Sequence, residues 1–244
     1  MLNQDADVRR SPTGRIPQWA MDEAVAGRRP SAPPRAVEQP VPGDLLLTRP
    51  GAAARARADE LMAGRPVRSV LARLLGVRRP EHSWQAGARG EELVAGQLAR
   101  LGPSWTVLHS VPVGSRGSDI DHVVLGPAGV FTLNSKHHRD ARIRVDGDRI
   151  WVNGQYQHHV RNSRHEAMRA ARLLSAAVGF PVPVQGVVVP VGAAALDVRR
   201  QPADVQVVNR ARVRRWLAGR PPVWSAEQLA AVVQAARRPA TWLG

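Results

Sequence analysis

The spacing of apolar residues divides the chain into a part without a regular pattern and a longer, patterned part. Residues 1–50 mix Arg, Pro, Ala and Gly without apolar periodicity. Such a segment buries too little apolar surface to offset the entropy lost on ordering, so we predict that it is disordered and basic. Residues 51–82 contain two short helical patterns, which we interpret as short helices or a linker.

From Ser83 onward the pattern is that of an α/β domain. Ser83 is a suitable N-cap for a helix from about Trp84 to Leu101, and a second long helix is predicted from about Asn162 to Val178. Apolar and β-branched runs bounded by turn residues predict strands at 105–109, 120–125, 129–135, 143–145, 150–152 and 185–191. The order helix, strand, hairpin, helix, strand indicates a mixed β-sheet flanked by helices.

We assign these elements to one domain at residues 83–195, followed by an extension at residues 196–244. The extension contains a strand at about 205–208 and two helices at about 211–218 and 225–236. We expect it to pack on the domain.

Composition adds a strong positive charge and excludes several classes of protein. The net charge of +15 and the sequence pI of about 11.7 favour polyanionic partners such as nucleic acid. The absence of cysteine excludes disulfides and thiolate metal sites. No apolar run is long enough to span a membrane and the N-terminus has no signal-peptide core, so we expect a soluble, cytoplasmic protein. The oligomeric state is not predicted.

Lys136 is the only lysine among the 35 Lys and Arg residues of the chain, and it ends an apolar run that begins at Gly129. The turn sequence Gly-Pro-Ala-Gly at 126–129 predicts a hairpin between this run and the strand that begins near Asp121. A short hairpin brings the start of one strand beside the end of the other, so we expect Asp121 and Lys136 to be cross-strand neighbours. The alternative that Lys136 is the only lysine merely because the composition of the chain favours arginine over lysine stays open.

Several spaced motifs carry a resemblance to a known family. They are Gly87-x-x-Gly90-Glu91, the run Asp119-Ile120-Asp121-His122-Val123-Val124, the pairs Gly126-Pro127 and Gly129-Val130, and a lysine that follows Leu133 by three residues. Together they resemble the nuclease-related domain, NERD, over about residues 84–191. This family is similar to the PD-(D/E)XK nuclease superfamily, so the resemblance implies a PD-(D/E)XK-like core with a mixed sheet between helices.

The resemblance also implies a catalytic site. Asp121 would bind a divalent metal, Glu91 would help to hold the metal or its water, and Lys136 would position the attacking water and stabilise charge on the scissile phosphate. Carboxylates are the hard oxygen ligands that Mg²⁺ prefers, and Mn²⁺ accepts the same set. The implied activity is hydrolysis of the phosphodiester backbone, with DNA as the expected substrate, by an endo- or exonuclease.

Asn134 departs from the family pattern, which has an acid at this position. Its amide oxygen can bind a metal but brings no charge, so the metal affinity should fall. Asp119, or the adjacent His137 and His138, are alternative ligands. Otherwise the site binds nucleic acid without cutting it, as a regulatory module on a degenerate nuclease scaffold. A third hypothesis is an interaction protein whose basic N-terminal segment contacts membranes or partners.

Four arginines are candidate contacts to nucleic acid. Arg116 lies in a turn between two glycines near Asp121, and Arg161 and Arg164 open the second long helix, where free backbone N–H groups favour phosphate. Arg214 belongs to a basic turn beside Trp216. For each of them a solvated surface charge is the alternative. A zinc site made of the adjacent histidine pairs is disfavoured, because neighbouring residues of a strand point to opposite faces.

Overall fold

The computed structural model describes residues 43–52, 55, 80–114 and 118–243, with only the backbone for residues 80–86. Most of residues 1–50, predicted to be disordered, and of residues 51–82, with their two helical patterns, lies outside the described residues. Arg116 lies outside them too. The prediction of disorder is wrong for residues 43–50, which include a short 3-10 helix at Leu45–Leu47 with Leu45 buried in the core.

A five-stranded mixed sheet forms the centre of the described structure. Its strands, in spatial order, are β1 (Thr106–Val113), β2 (Ser118–Gly126), β3 (Gly129–His137), β7 (Val184–Val191) and β9 (Val205–Val207). The pairs β1–β2 and β2–β3 are antiparallel, whereas β3–β7 and β7–β9 are parallel. Most residues of β2 and β3 are buried, as expected for strands that are covered on both faces.

A second, smaller mixed sheet has four strands. They are, in spatial order, β6 (Gln155–Gln157), β5 (Arg149–Val152), β4 (Arg142–Asp146) and β8 (Ala195–Arg200). The β4–β5 hairpin is the one that the sequence predicts, and Gly147 adopts the positive φ of +56° at its turn. The sequence did not predict β6 and β8.

In the described part of the chain five helices flank the sheets, namely α1 (Pro80–Leu98), α2 (His159–Val178), α3 (Val213–Ala218), α4 (Ala226–Arg237) and α5 (Pro239–Leu243). The helix α1 begins at Pro80, so the prediction that Ser83 caps it is wrong. Proline is favoured in the first turn because it lacks the N–H that would be unpaired there. No helix in the described part of the chain is long and apolar enough to cross a membrane.

The two faces of the five-stranded sheet are covered by different helices. On one face Phe131 and Leu133 pack with Val94 and Leu98 of α1 and with Leu217 of α3. On the opposite face, apolar residues of β1 and β2 pack with α2, α4 and α5; these include Leu108, Val123, Leu174, Val232 and Trp242. The α/β prediction with a mixed sheet between helices is confirmed, while the PD-(D/E)XK-like core stays a prediction.

The segment at 43–52 is attached to the C-terminal helices. The Asp44 carboxylate pairs with the Arg237 guanidinium of α4, with Nη2 and Oδ2 2.6 Å apart, and both side chains are largely buried. Asp44 Oδ1 also accepts a hydrogen bond from the Leu46 N–H. Leu45 is buried in the same core as Trp242. These contacts hold residues far apart in sequence beside each other.

Removing one charge of this buried pair should destabilise the fold. We expect Asp44→Asn to lower the free energy of unfolding by about 2 kcal/mol near pH 7. The hydrogen bond to Arg237 lowers the pKa of Asp44, so this stabilisation is present at neutral pH and is lost as the pH falls through that pKa. Denaturant unfolding of both proteins at neutral and at acidic pH measures the difference.

Asp140→Asn is a matched control, because Asp140 pairs with Arg139 on the surface and its side chain is 82% exposed. Exposed pairs contribute about 0–1 kcal/mol. Equal effects of the two substitutions would contradict a stabilising role for the Asp44–Arg237 pair.

Candidate active site

Four carboxyl groups and one lysine come together at one end of the central sheet. Asp119 and Asp121 lie near the start of β2, Lys136 lies near the end of β3, Glu91 comes from α1, and Glu166 comes from α2. Each of the four carboxyl groups interacts electrostatically with Lys136. We call Glu91, Asp119, Asp121 and Glu166 the carboxylate cluster.

The strand register specifies how β2 and β3 contribute to this cluster. The last paired residues of the hairpin are His122 and Leu133, and the same register carried onward sets Asp121 opposite Asn134 and Asp119 opposite Lys136. Asp121 and Lys136 are therefore diagonal rather than directly opposed neighbours. The hairpin brings Asp121 and Lys136 close to each other, as predicted. Their positions are offset by two residues from those of a directly opposed pair.

Asp121 is anchored to the neighbouring strand. Its Oδ2 accepts a hydrogen bond from the backbone N–H of Ser135 at 2.5 Å. Burial raises the pKa of Asp121 to about 7, against the opposing effects of the Lys136 charge and the Ser135 N–H. The charges of Glu166 and Asp119 raise the pKa further. At neutral pH this carboxyl group is thus close to the midpoint of its titration.

Glu91 reaches the cluster from the opposite face of the sheet to Glu166. Its side chain is 6% exposed, and its Oε2 accepts a hydrogen bond from the backbone N–H of Gly51 at 3.0 Å. Burial raises the pKa of Glu91 to about 8, and the negative charges of Asp121 and Asp119 add to the effect. The Gly51 N–H and the Lys136 charge act in the opposite direction.

Gly51 makes this contact because its backbone comes very close to α1. It has a φ of +69°, and a Cβ atom at this position would lie 3.1 Å from the Cα and Cβ of Ala88. Glycine is therefore required here both for its conformation and for its lack of a side chain. The close approach keeps the Gly51 N–H against the Glu91 carboxylate.

Glu166 is a site residue that the sequence did not reveal. The Asn134 amide nitrogen donates hydrogen bonds to both of its carboxylate oxygens, at 2.7 Å to Oε1 and 2.9 Å to Oε2. Burial raises the pKa of Glu166, and the hydrogen bond from Asn134 and the Lys136 charge oppose the shift. The negative charge that Asn134 lacks is therefore present next to it, on a helix instead of on the strand.

One feature of the sequence points to Glu166 in retrospect. It is the only acidic residue in α2, a helix that otherwise carries four arginines. The amide oxygen Oδ1 of Asn134 is buried and has no hydrogen-bond partner among the described residues. An amide whose nitrogen is held by Glu166 and whose oxygen has no donor has a lone pair free for a ligand.

The cluster does not contain a ready-made metal cage. Among the described residues, no three His, Asp or Glu side chains are arranged as a group that could hold a metal ion. The donor set is nevertheless made of hard oxygen ligands. Mg²⁺ sites commonly use one or two carboxylates and complete the shell with water and phosphate oxygens. The residues fit a cation of that kind, bound by few protein ligands.

Four histidines near the site form two hydrogen-bonded pairs, and burial lowers the pKa of each of the four. His122 is fully buried, its Nδ1 lies 2.9 Å from Nδ1 of His109, and burial lowers its pKa to about 3. The Nε2 atoms of His138 and His159 also lie 2.9 Å apart, and burial lowers the pKa of His159 to about 4. His122 is therefore a packed, hydrogen-bonding residue of the sheet. The alternative that His137 and His138 bind the metal stays untested.

The arginines that the sequence singles out differ in their surroundings. Arg164 is engaged in ion pairs, with Nη2 2.9 Å from Asp148 Oδ2 and Nε 2.5 Å from Asp204 Oδ2. These acids raise its pKa above the usual value. Arg161 and Arg214 are exposed. Contacts of these arginines with nucleic acid stay a prediction.

Comparison with known proteins agrees with the geometry. Residues 86–191 match the model of the family described as the nuclease-related domain. No curated protein and no solved structure matches the chain. The matched segment begins inside α1 and ends with β7, so it contains the whole carboxylate cluster together with Asn134 and Lys136. Residues 86–191 of the chain are thus similar to the nuclease-related domain family, NERD.

Proposed function

We propose that this protein binds nucleic acid, with DNA as the expected substrate, and hydrolyses its phosphodiester backbone with Mg²⁺ or Mn²⁺ at the carboxylate cluster. The observation that carries the proposal is the gathering of the buried Glu91 and the partly buried Asp121 and Glu166 around Lys136, within the segment that matches a nuclease-related family. Burying like charges together is costly unless protons or a cation neutralise them.

The raised pKa values support the binding of a divalent cation. Carboxyl groups with pKa values of about 7 and about 8 hold protons near neutral pH because their charged forms are poorly solvated and, to a smaller extent, because their charges repel. A cation removes the same repulsion, so it can replace these protons. Asp121 and Glu166 are the proposed carboxylate ligands, and Asn134 Oδ1 is a proposed neutral one.

The protein's own residues would each contribute one step. Lys136 donates hydrogen bonds to the attacking water or to a phosphoryl oxygen and offsets the negative charge of the transition state. Glu91 exchanges protons near neutral pH, which suits a group that takes up or supplies a proton during hydrolysis. Asn134 holds Glu166 in place through its amide nitrogen. When bound, the cation would lower the pKa of the water that it holds and would neutralise negative charge on the phosphate.

Charge on the whole chain and charge in the site act in opposite directions. The net charge of +15 attracts a polyanion, whereas the carboxylate cluster repels a phosphate that approaches without a cation. Binding of nucleic acid to the surface should therefore occur without metal. Entry of the scissile phosphate into the cluster should require it.

A second candidate function is nucleic-acid binding without cleavage. It is favoured by Asn134, which replaces the expected strand acid, and by Gly51, whose N–H occupies one oxygen of Glu91. Under this alternative the basic surface retains nucleic acid and the carboxylate cluster is a remnant. Cleavage assays separate the two functions.

Replacing the lysine should abolish cleavage and leave binding nearly intact. We expect Lys136→Ala to slow nicking of supercoiled plasmid in Mg²⁺ or Mn²⁺ by roughly 10²–10³-fold, because a charge that stabilises the transition state is lost. Arg139→Ala is the matched control, because its side chain is nearby in sequence and 83% exposed. Equal nicking by wild type and Lys136→Ala, or nicking by neither, would contradict the catalytic proposal.

Metal binding should strengthen as the pH rises from 6 to 8. At pH 6 both Asp121 and Glu91 hold protons, since their pKa values are about 7 and about 8, and a cation must displace them. We expect the Mn²⁺ affinity to increase by roughly tenfold or more over this range. Titration calorimetry at several pH values gives the affinity.

Glu91→Gln is the informative variant for this measurement, and Glu92→Gln, whose side chain is 48% exposed, is the control. The raised pKa of Glu91 means that the metal-free protein loses stability as the pH rises from the ordinary value of 4.5 toward 8. Glu91→Gln should remove part of that loss and flatten the pH dependence of metal binding. An unchanged pH profile in this variant would show that Glu91 does not titrate with the site.

An exchange of the amide and the acid should test whether Glu166 substitutes for the missing strand acid. We expect Glu166→Gln to reduce nicking and Mn²⁺ affinity, and the double variant Asn134→Asp/Glu166→Gln to recover much of both. Asn134→Asp alone should show less nicking and weaker Mn²⁺ binding than the double variant, because it sets two carboxylates against each other. Nicking that is unaffected by Glu166→Gln would exclude Glu166 from the site.

A further inference from the structure

A cavity opens between α2 and the start of β2, next to the carboxylate cluster. Its volume is about 480 Å³. The lining combines an apolar base from the ends of β1 and β2, two acids of the cluster, and a polar, basic stripe of α2 that comprises Arg161, Asn162, His165 and Arg169. Small-molecule sites in proteins commonly have volumes of about 300–1,000 Å³, so this cavity has the size of a ligand site.

Arg169 lines this cavity, and part of its guanidinium group is buried. Its Nε atom is buried and has no hydrogen-bond partner among the described residues. The guanidinium lies against Gly114, where any Cβ atom would collide with Nη2. A buried cationic N–H without an acceptor is costly, so this arrangement indicates that an acceptor comes from a ligand.

Arg164 shows that ion pairing is available on this helix. Arg164 forms ion pairs with Asp148 and Asp204 on a different side of α2. Arg161 and Arg169, in contrast, form no ion pair among the described residues, although Asp119 and Glu166 line the same cavity. Glu166 is held by Asn134 instead. The cavity therefore has an unneutralised cationic wall beside an acidic one.

This distribution of charge suits one chemical class of ligand. A phosphate on the arginine side would lie next to the cluster that is proposed to hold the cation and the scissile bond. A terminal phosphomonoester carries about −1.5 to −2 charges near neutral pH, more than an internal diester, and a planar guanidinium binds its oxygens in pairs. A cavity between a helix and a sheet also admits one nucleotide more readily than a continuous duplex.

We propose that Arg161 and Arg169 form a binding site for the terminal phosphate of a nucleic-acid strand, so that the protein engages strand ends. The phosphate site stands on the cavity and its arginines. That it serves cleavage rests on the proposed function. Asn162 and His165 line the same cavity and complete its polar wall.

The test compares binding of short single-stranded oligonucleotides that differ only at their ends. Fluorescence anisotropy in EDTA, where no cleavage occurs, would give the affinities for 5′-phosphorylated, 3′-phosphorylated and unphosphorylated strands. We expect one phosphorylated end to bind about tenfold more tightly than the unphosphorylated strand. Equal affinity for all three strands would overturn the proposal.

Arginine variants assign the preference to the cavity. Arg169→Gln and Arg161→Gln should each remove most of the preference for a phosphorylated end, whereas Arg172→Gln, on an exposed position of the same helix, should retain it. Arg161 is also exposed, so its variant should fold even if Arg169→Gln does not. A preference that survives in Arg161→Gln and Arg169→Gln alike would place the phosphate elsewhere and refute the assignment.

Two further measurements are needed. One distinguishes a free phosphate ion from a phosphorylated strand end, and the other distinguishes the phosphate-site proposal from the catalytic proposal. Inorganic phosphate that competes as strongly as the phosphorylated strand would show that the site takes the free ion and not a strand end, which contradicts the proposal. An end preference without metal-dependent cleavage of either the plasmid or a phosphorylated linear strand would uphold the phosphate site and contradict catalysis. Nicking without an end preference would do the reverse.

Discussion

The poor solvation of the carboxyl groups around Lys136, together with their mutual repulsion, is the constraint on which the site depends. Glu91, Asp121 and Glu166 come from a helix on each face of the sheet and from a strand between them, so no local rearrangement separates them. Lys136 offsets part of their charge, and protons offset more, as the pKa values of about 7 and about 8 indicate. The fold thus maintains an excess of poorly solvated negative charge, which the proposed divalent cation would neutralise.

The Asn134–Glu166 contact shows how a site can keep its charge while the residue on the strand changes. An amide on β3 donates both hydrogen bonds to the acid on α2, which leaves the amide oxygen directed elsewhere and without a partner among the described residues. The pair therefore offers a negative and a neutral oxygen donor in place of a single carboxylate. Judging the site from the strand residue alone would underestimate its charge.

The sequence predicted those parts of the fold that depend on local patterns. The run from Asp119 to Lys136 contains two apolar stretches joined by a Gly-Pro-Ala-Gly turn, and this hairpin formed as expected. Glu166 was missed because its partner Asn134 lies on a different element, and no local spacing encodes a helix-to-strand contact. The strands β6 and β8 were not predicted for a similar reason. Their residues are mostly exposed and give little apolar signal, and the strands form by pairing with the neighbouring β4–β5 hairpin. The two-residue offset of Asp121 from Lys136 is set by the exact turn length, which apolar periodicity does not resolve.

The contact between Gly51 and Glu91 links the site to the distant end of the chain. The same segment that offers the Gly51 N–H is fastened through Asp44 to Arg237 and through Leu45 to the core around Trp242. The proton affinity of Glu91 is therefore sensitive to how well the last two helices are packed. A residue near the carboxyl terminus, far from any candidate ligand, thereby helps to set the ionisation state of the site.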